Sequence, residues 1–129
     1  MTLRCLIVDD DAGFRAEASG LLEEEGVEVV GSAASGAEAV RKVASLRPDV
    51  ALVDINLRGE SGFDLARQMR DGAGGDAPNV ILISTHDESE YADLIEASPA
   101  AGFLAKNDLS AVTIRRILDA ASAFEGDDR

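Results

Sequence analysis

The sequence predicts an α/β fold: a doubly wound (βα)5 three-layer sandwich, with a parallel five-stranded sheet of order 2-1-3-4-5 covered by helices on both faces. Three observations point there. Short, continuously apolar runs recur along the chain, as strands buried on both faces do. Segments with helical apolar spacing lie between those runs, and strand and helix alternate five times across short connections, which favours right-handed parallel crossovers. The length of 129 residues is enough for one sizeable core and too little for two.

Each element has its own signal. The first strand, 5–8, leads into a helix on which Phe14, Ala18, Leu21 and Leu22 share one face, and Gly26 is suited to cap its end. A weaker strand covers 27–30. Ser35-x-x-Glu38 is a capping-box pattern that opens the second helix, with Ala37, Val40 and Ala44 as the expected inward stripe. The third strand is 50–53. Ser61-x-x-Asp64 opens a third helix that turns Leu65, Ala66 and Met69 inward, until Asp71-Gly72-Ala73-Gly74-Gly75 breaks it ahead of Pro78. After the fourth strand, 80–83, Tyr91, Leu94 and Ile95 mark a short helix ended before Pro99. The last strand is 103–105, and Ile114, Ile117, Leu118 and Ala121 give the fifth helix. The domain is expected over residues 1–124, followed by a frayed acidic tail at 125–129, with no output domain in the chain.

Composition narrows the function. With 46% hydrophobic and 29% charged residues, the chain has the make-up of a soluble globular domain rather than a disordered one. A net charge of -13, from 25 acidic against 12 basic residues, argues against a grip on nucleic-acid phosphates and favours a cationic partner or a metal ion. The single cysteine, Cys5, lies in an apolar run, so it cannot form an intrachain disulfide and reads as a buried, inert thiol in a reducing, cytoplasmic setting. The apolar stretch near the N-terminus is too short for a signal peptide or a membrane span.

What ends the strands carries the chemistry. The predicted order sets strands one and three side by side at the switch point of the sheet, where open α/β sheets keep their ligands. Strand one runs into Asp9, Asp10 and Asp11, strand three into Asp54, and strand four into Ser84 and Thr85, while Lys106 follows strand five. Carboxylates a few Å apart repel by about 4 kcal/mol per pair at an effective dielectric near 20, so such a cluster calls for a cation. Hard oxygen donors favour Mg²⁺, with Lys106 neutralising the site from the opposite side. A carboxylate such as Asp54 can then attack a phosphoryl group and form an acyl phosphate, given a cation, an ammonium and a hydroxyl to absorb the charge on the phosphoryl oxygens. Taken singly, these residues have ordinary uses: aspartate and serine cap helices, and a lysine at a strand end is often just solvated. Their conjunction at the ends of four strands is the argument. Asp11 is left over, to cap the first helix or face water, and Glu23-Glu24-Glu25 reads as a solvated helix end.

The combination of Val8-Asp9-Asp10, Val53-Asp54-Ile55-Asn56-Leu57 with Gly62, Ile83-Ser84-Thr85 and Gly102-Phe103-Leu104-Ala105-Lys106 resembles the receiver domain of two-component response regulators across residues 3–124. The resemblance implies the flavodoxin-like form of the fold and a set of roles. Asp54 matches the phospho-accepting aspartate. Asp10 and Asp54 match direct Mg²⁺ ligands, with the Asn56 backbone carbonyl as a third and Asp9 acting through water. Ser84 takes the place of the switch hydroxyl, Lys106 of the phosphate-pairing lysine, and Phe103 of the aromatic that swings inward on activation. Asn56 and His86 fall at the positions that tune how water reaches the acyl phosphate. The implied partner is a histidine kinase, with a homodimer through the face of helix 4, strand 5 and helix 5 as a further expectation, and no contact with nucleic acid or membrane by this segment.

Two departures stand out. Many receivers have a proline with a cis peptide bond after the lysine, whereas here Asn107 follows Lys106, which leaves cis and trans open; receivers attached to LuxR-type DNA-binding domains are similar in often lacking that proline. Thr85 stands where a small residue such as alanine is common, and its bulk is expected to narrow access to the phosphoryl site. A haloacid-dehalogenase type phosphohydrolase shares the aspartate chemistry but places Thr or Val where Gly13 stands. A flavin or nucleotide module would need a glycine-rich loop after strand one. A degenerate receiver that only binds protein is the remaining alternative.

Overall fold

The computed structural model describes residues 2–73, 77–85 and 91–127. In chain order the elements are β1 (Arg4–Val8), α1 (Ala12–Glu24), β2 (Glu28–Ala33), α2 (Gly36–Leu46), β3 (Val50–Asp54), the two-residue strands β4 (Asn56–Leu57) and β5 (Glu60–Ser61), α3 (Gly62–Ala73), β6 (Asn79–Ser84), α4 (Ala92–Ala97), β7 (Gly102–Ala105) and α5 (Ala111–Asp127). Among the described residues one parallel five-stranded sheet has the order β2-β1-β3-β6-β7, and β4 and β5 form a separate antiparallel hairpin. With β6 and β7 counted as the fourth and fifth strands of the main sheet, this is the 2-1-3-4-5 order read from the sequence. No helix among the described residues is long and apolar enough to cross a membrane.

The continuous apolarity of the strands resolves into two buried faces, because successive side chains point to opposite sides of a sheet. Leu6, Val8, Ala51, Val53 and Leu82 join Val43 of α2 and Leu65, Ala66 and Met69 of α3 in one core layer. Cys5, Ile7, Leu52, Ile81 and Ile83 join Ala18 and Leu22 of α1 and Ile114 of α5 in the other. In β1 the four residues from Cys5 to Val8 are fully buried and alternate between the two layers. Cys5 is free and buried, and that burial pushes its thiol pKa up to about 12.

The helix signals hold at their caps and in part at their faces. Asp11 caps α1, its Oδ1 accepting from the N–H groups of Gly13 and Phe14 at 2.9 and 3.3 Å, and Gly26 follows the helix with φ +89°. Ser35 Oγ accepts from Glu38 N at 3.3 Å, while the Glu38 carboxylate accepts from Ala34 N, one residue before the position a capping box uses. The inward face of α2, however, is Gly36, Ala39 and Val43 rather than Ala37, Val40 and Ala44, and Val40 is left 38% exposed. Tertiary contact sets this phase: Glu60 Oε1 on the β4–β5 hairpin accepts from Gly36 N at 3.2 Å, and a Cβ on Gly36 would meet Glu60 Oε2 at 2.7 Å. On α1, Leu21 lies at the edge of the buried stripe and is 39% exposed, while Ala18 and Leu22 carry the contact.

Three further boundaries differ. β2 runs on to Ala33 because it pairs with β1 through Val8, with a register shift between Cys5 and Leu6 that absorbs one residue. α3 continues to Ala73 through Asp71 and Gly72, and α5 extends to Asp127, past residue 124 where the domain was expected to end. Glu25 is not simply solvated. Its Oε1 accepts from Ala111 N at 2.6 Å and so caps α5 from a position 86 residues earlier in the chain.

Candidate functional site

The strand order brings β1 and β3 together in register, Val8 beside Val53, so that their C-terminal ends open side by side. Oxygen atoms of Asp9, Asp10 and Asp54 lie within 4.8 Å of one another. Asp9 is fully buried and its main chain is held from two sides: its N–H donates to Ala33 O at 3.0 Å, and Arg15 Nη1 donates to its carbonyl at 2.6 Å. Its Oδ1 accepts from Asp11 N at 2.9 Å. Asp10 projects further toward solvent, where Arg58 Nε lies 3.5 Å from its Oδ2. Arg58 and Gly59 turn the β4–β5 hairpin through positive φ values of 43° and 88°.

Asp54 ends β3 at 8% exposure, and its Oδ1 accepts from Asn56 N at 3.0 Å. The following backbone is pinned where Gly62 N donates to Ile55 O, and a Cβ on Gly62 would come within 2.7 Å of Ile55 Cα, so the close approach requires glycine. Asn56 itself pairs with Ser61 in the hairpin and has an exposed side chain.

Lys106, in the 3-10 turn Lys106–Asp108 after β7, reaches across the sheet end to bridge two of the carboxylates. Its Nζ lies 2.5 Å from Asp9 Oδ2 and 3.1 Å from Asp54 Oδ2. Burial works to lower the lysine pKa, yet the contacts with Asp9 and Asp54 outweigh it and hold the pKa above its ordinary value. Desolvation raises Asp9 above the usual carboxylate range, with repulsion from Asp54 adding to it and Lys106 and the Asp11 N–H opposing it. Among the described residues no peptide bond is cis, so the Lys106–Asn107 bond is trans.

The cluster fits a divalent cation. All its donors are hard oxygens, and buried Asp9 Oδ2 receives a close ion contact from Lys106 but no well-aimed hydrogen bond. Asp9, Asp10 and Asp54 are the residues that could hold such an ion.

The other residues singled out by sequence fall around this centre. Ser84, 3% exposed, ends β6 opposite Ala105 on β7. Thr85 lines an open cavity with Phe14, Lys106 and Asn107. Phe103 is half-buried on β7 and packs with Tyr91 and Ile95 against the α2–α3 side of the core. His86 lies outside the described residues. Three neighbours escaped the sequence reading. Arg58 pairs with Asp10, Arg15 holds the Asp9 carbonyl, and Phe14 places its ring 4.3 Å from Lys106 Nζ. By sequence Phe14 reads only as part of the apolar face of the first helix, and Arg15 and Arg58 stand in no motif, because a side-chain contact of this kind leaves no local pattern.

The parallel sheet of this order, with an acidic cluster at its switch point and a lysine closing it, defines a class of α/β domain that receives a ligand at the carboxyl ends of its strands. The family description "response regulator receiver domain" matches residues 5–118, and the chain belongs to that family. Among curated proteins it is 43% identical over 70 residues to a protein-glutamate methylesterase/protein-glutamine glutaminase of Alkalilimnicola ehrlichii, covering 54% of this chain and 18% of that protein. It is 33% identical over 102 residues to the transcriptional regulatory protein PdtaR of Mycobacterium tuberculosis, covering 79% of this chain and 47% of that protein. The chain thus spans from under a fifth to about half the length of these relatives. Among solved structures, a two-component response regulator of the LuxR family from Aurantimonas sp. superposes with a TM-score of 0.81 at 27% identity, covering 95% of this chain and 87% of that one.

Proposed function

We propose that this chain is a phosphoacceptor switch of the bacterial cytoplasm, in which Asp54 accepts a phosphoryl group from a histidine kinase in a Mg²⁺-dependent reaction. The observation that carries the reading is the Lys106 ammonium bridging Asp9 and Asp54 at 2.5 and 3.1 Å inside a cluster of three carboxylates. An Asp54 carboxylate oxygen forms the new O–P bond while the N–P bond of the phosphohistidine breaks, and the electron pair of that bond returns to the imidazole. Asp10, Asp54 and the Asn56 carbonyl, with Asp9 through water, would hold Mg²⁺, which when bound draws charge from the phosphoryl oxygens. Lys106 exchanges its Asp54 contact for a phosphoryl oxygen, and the Ser84 hydroxyl donates to another. Phe103 then turns inward, shifting the population toward a changed face of α4, β7 and α5, where a homodimer or a target docks. Asn56, Thr85 and His86 set how readily water reaches the acyl phosphate. The domain catalyses its own phosphorylation and slow dephosphorylation rather than turning over a substrate, and its net charge of -13 leaves nucleic acid to other partners.

Incubation with Mg²⁺ and a small acyl-phosphate donor tests this. Stoichiometric, slowly reversed labelling that is lost in Asp54→Asn is the expected result. Rapid multiple turnover that depends on Asp9 would instead mark a phosphohydrolase, and no label from either kinase or small donor would mark a degenerate receiver that only binds protein.

A further inference from the structure

An ammonium group has three N–H donors to place. The Lys106 ammonium makes ion contacts with two carboxylates, its Nζ lying 2.5 Å from Asp9 Oδ2 and 3.1 Å from Asp54 Oδ2. Nζ also lies over the face of Phe14, 4.3 Å from the ring centroid, inside the range of a cation–π contact. The ring is itself anchored. Phe14 is half-buried against the core layer of α1 and α5, and its backbone N–H is held by the Asp11 cap at the start of α1. Lys106, by contrast, sits in an isolated 3-10 turn whose residues are not buried, so its backbone alone does little to fix the ammonium.

We propose that Phe14 is a positioning residue for phosphoryl acceptance, holding the Lys106 ammonium over the Asp9–Asp54 pair through its ring face. This rests on the phosphoacceptor reading above. When Asp54 takes up a phosphoryl group, Lys106 must leave the Asp54 oxygen and meet a phosphoryl oxygen. Of these contacts that one has to change; Asp9 and the ring keep the nitrogen in place during the exchange. A ring face suits the task because it attracts the charge without competing for the phosphoryl group as a third carboxylate would.

The test uses the whole chain. In the unlabelled wild-type protein, ring current from Phe14 should shift the Lys106 ε-methylene protons upfield, and Phe14→Leu, which keeps an apolar side chain of similar bulk, should remove the shift. Labelling of Asp54 by a small acyl phosphate with Mg²⁺ should slow by about three- to tenfold in Phe14→Leu, the range a partly desolvated cation–π contact supplies, and recover to within about twofold in Phe14→Tyr and Phe14→Trp. A Leu variant as fast as wild type, aromatic variants as slow as Leu, or an unshifted Lys106 signal in the wild type would each overturn the proposal. The wild-type shift needs no substitution, so it decides the contact even if a variant folds poorly. An upfield-shifted lysine in a wild-type protein that takes no label would leave the contact standing while the phosphoacceptor reading, and with it the positioning role, falls.

Discussion

Replacing Lys106 by methionine isolates what the ammonium does for the resting fold. The thioether keeps an unbranched apolar side chain of nearly the same length, so the change removes charge more than packing. What remains is Asp9, fully buried, facing Asp54, whose side chain is 12% exposed, with their oxygens within 4.8 Å of each other. At that separation and an effective dielectric near 20, their repulsion is about 3.5 kcal/mol, in line with the roughly 3–5 kcal/mol lost when one partner of a buried ion pair is removed. Part of this is avoided by protonating Asp9, whose pKa desolvation already raises. A net loss of about 3 kcal/mol is therefore expected in chelator at neutral pH, or roughly 10 °C in Tm for a domain of this size. The assay is urea or thermal unfolding of wild type and variant, each in chelator and in excess Mg²⁺. A cation held by the same carboxylates offsets the repulsion, so Mg²⁺ should stabilise Lys106→Met by more than it stabilises the wild type. A variant that loses under about 1 kcal/mol in chelator, or that gains no more from Mg²⁺ than the wild type, would refute the view that lysine and cation answer the same excess of charge.

Three other perturbations follow from particular contacts. Cys5 should resist thiol reagents at pH 8 until the protein is unfolded. Because its pKa rises from 9.0 to about 12 on folding, the native state keeps a proton that the unfolded chain loses, so stability is intact below pH 9 and declines as the pH climbs toward 12, as unfolding midpoints across that window will show. Gly62→Ala sets a Cβ 2.7 Å from Ile55 Cα with backbone on the opposing side, which should cost about 2 kcal/mol in urea unfolding and slow labelling of the displaced Asp54. Glu25→Ala removes the 2.6 Å bond to Ala111 N and should cost about 1 kcal/mol, with faster amide exchange in the first turn of α5.

The elements that were legible are those whose signal is local or whose burial is two-sided. Strands β1, β3 and β6 read correctly because both their faces are covered, leaving no polar residue to interrupt the run. Ser35, Ser61 and Asp11 announced helix starts through bonds to backbone three residues away or closer. The face of α2 was not legible for a physical reason: in Gly36-Ala37-Glu38-Ala39-Val40 both candidate stripes are small and apolar, and a bond from Glu60, 24 residues later, selects between them. The same holds at the site. Asp9, Asp10, Asp54 and Lys106 could be grouped because the sheet order places strand ends together, whereas Phe14, Arg15 and Arg58 act through side chains that reach sideways from helix and hairpin, and Glu25 caps a helix far along the chain.

The three adjacent aspartates show how identical residues acquire different work from the geometry of one strand end. Asp9 continues the buried side of β1 and meets Lys106; Asp10 turns outward, where the exposed guanidinium of Arg58 partners it; Asp11 bends its carboxylate back onto the start of α1. Two of the three charges, with Asp54, therefore give a site of formal charge -3 that Lys106 reduces to -2, and Arg58, 84% exposed, screens it only weakly. A phosphoryl group carrying about two negative charges would meet repulsion there. A bound divalent cation brings the four groups to neutrality, and transfer onto Asp54 then exchanges a carboxylate charge for the phosphoryl charge in a pocket that still holds the ammonium. In the proposed reaction the cation must thus be in place before the phosphoryl group arrives, and the excess of acidic side chains is what would draw it there.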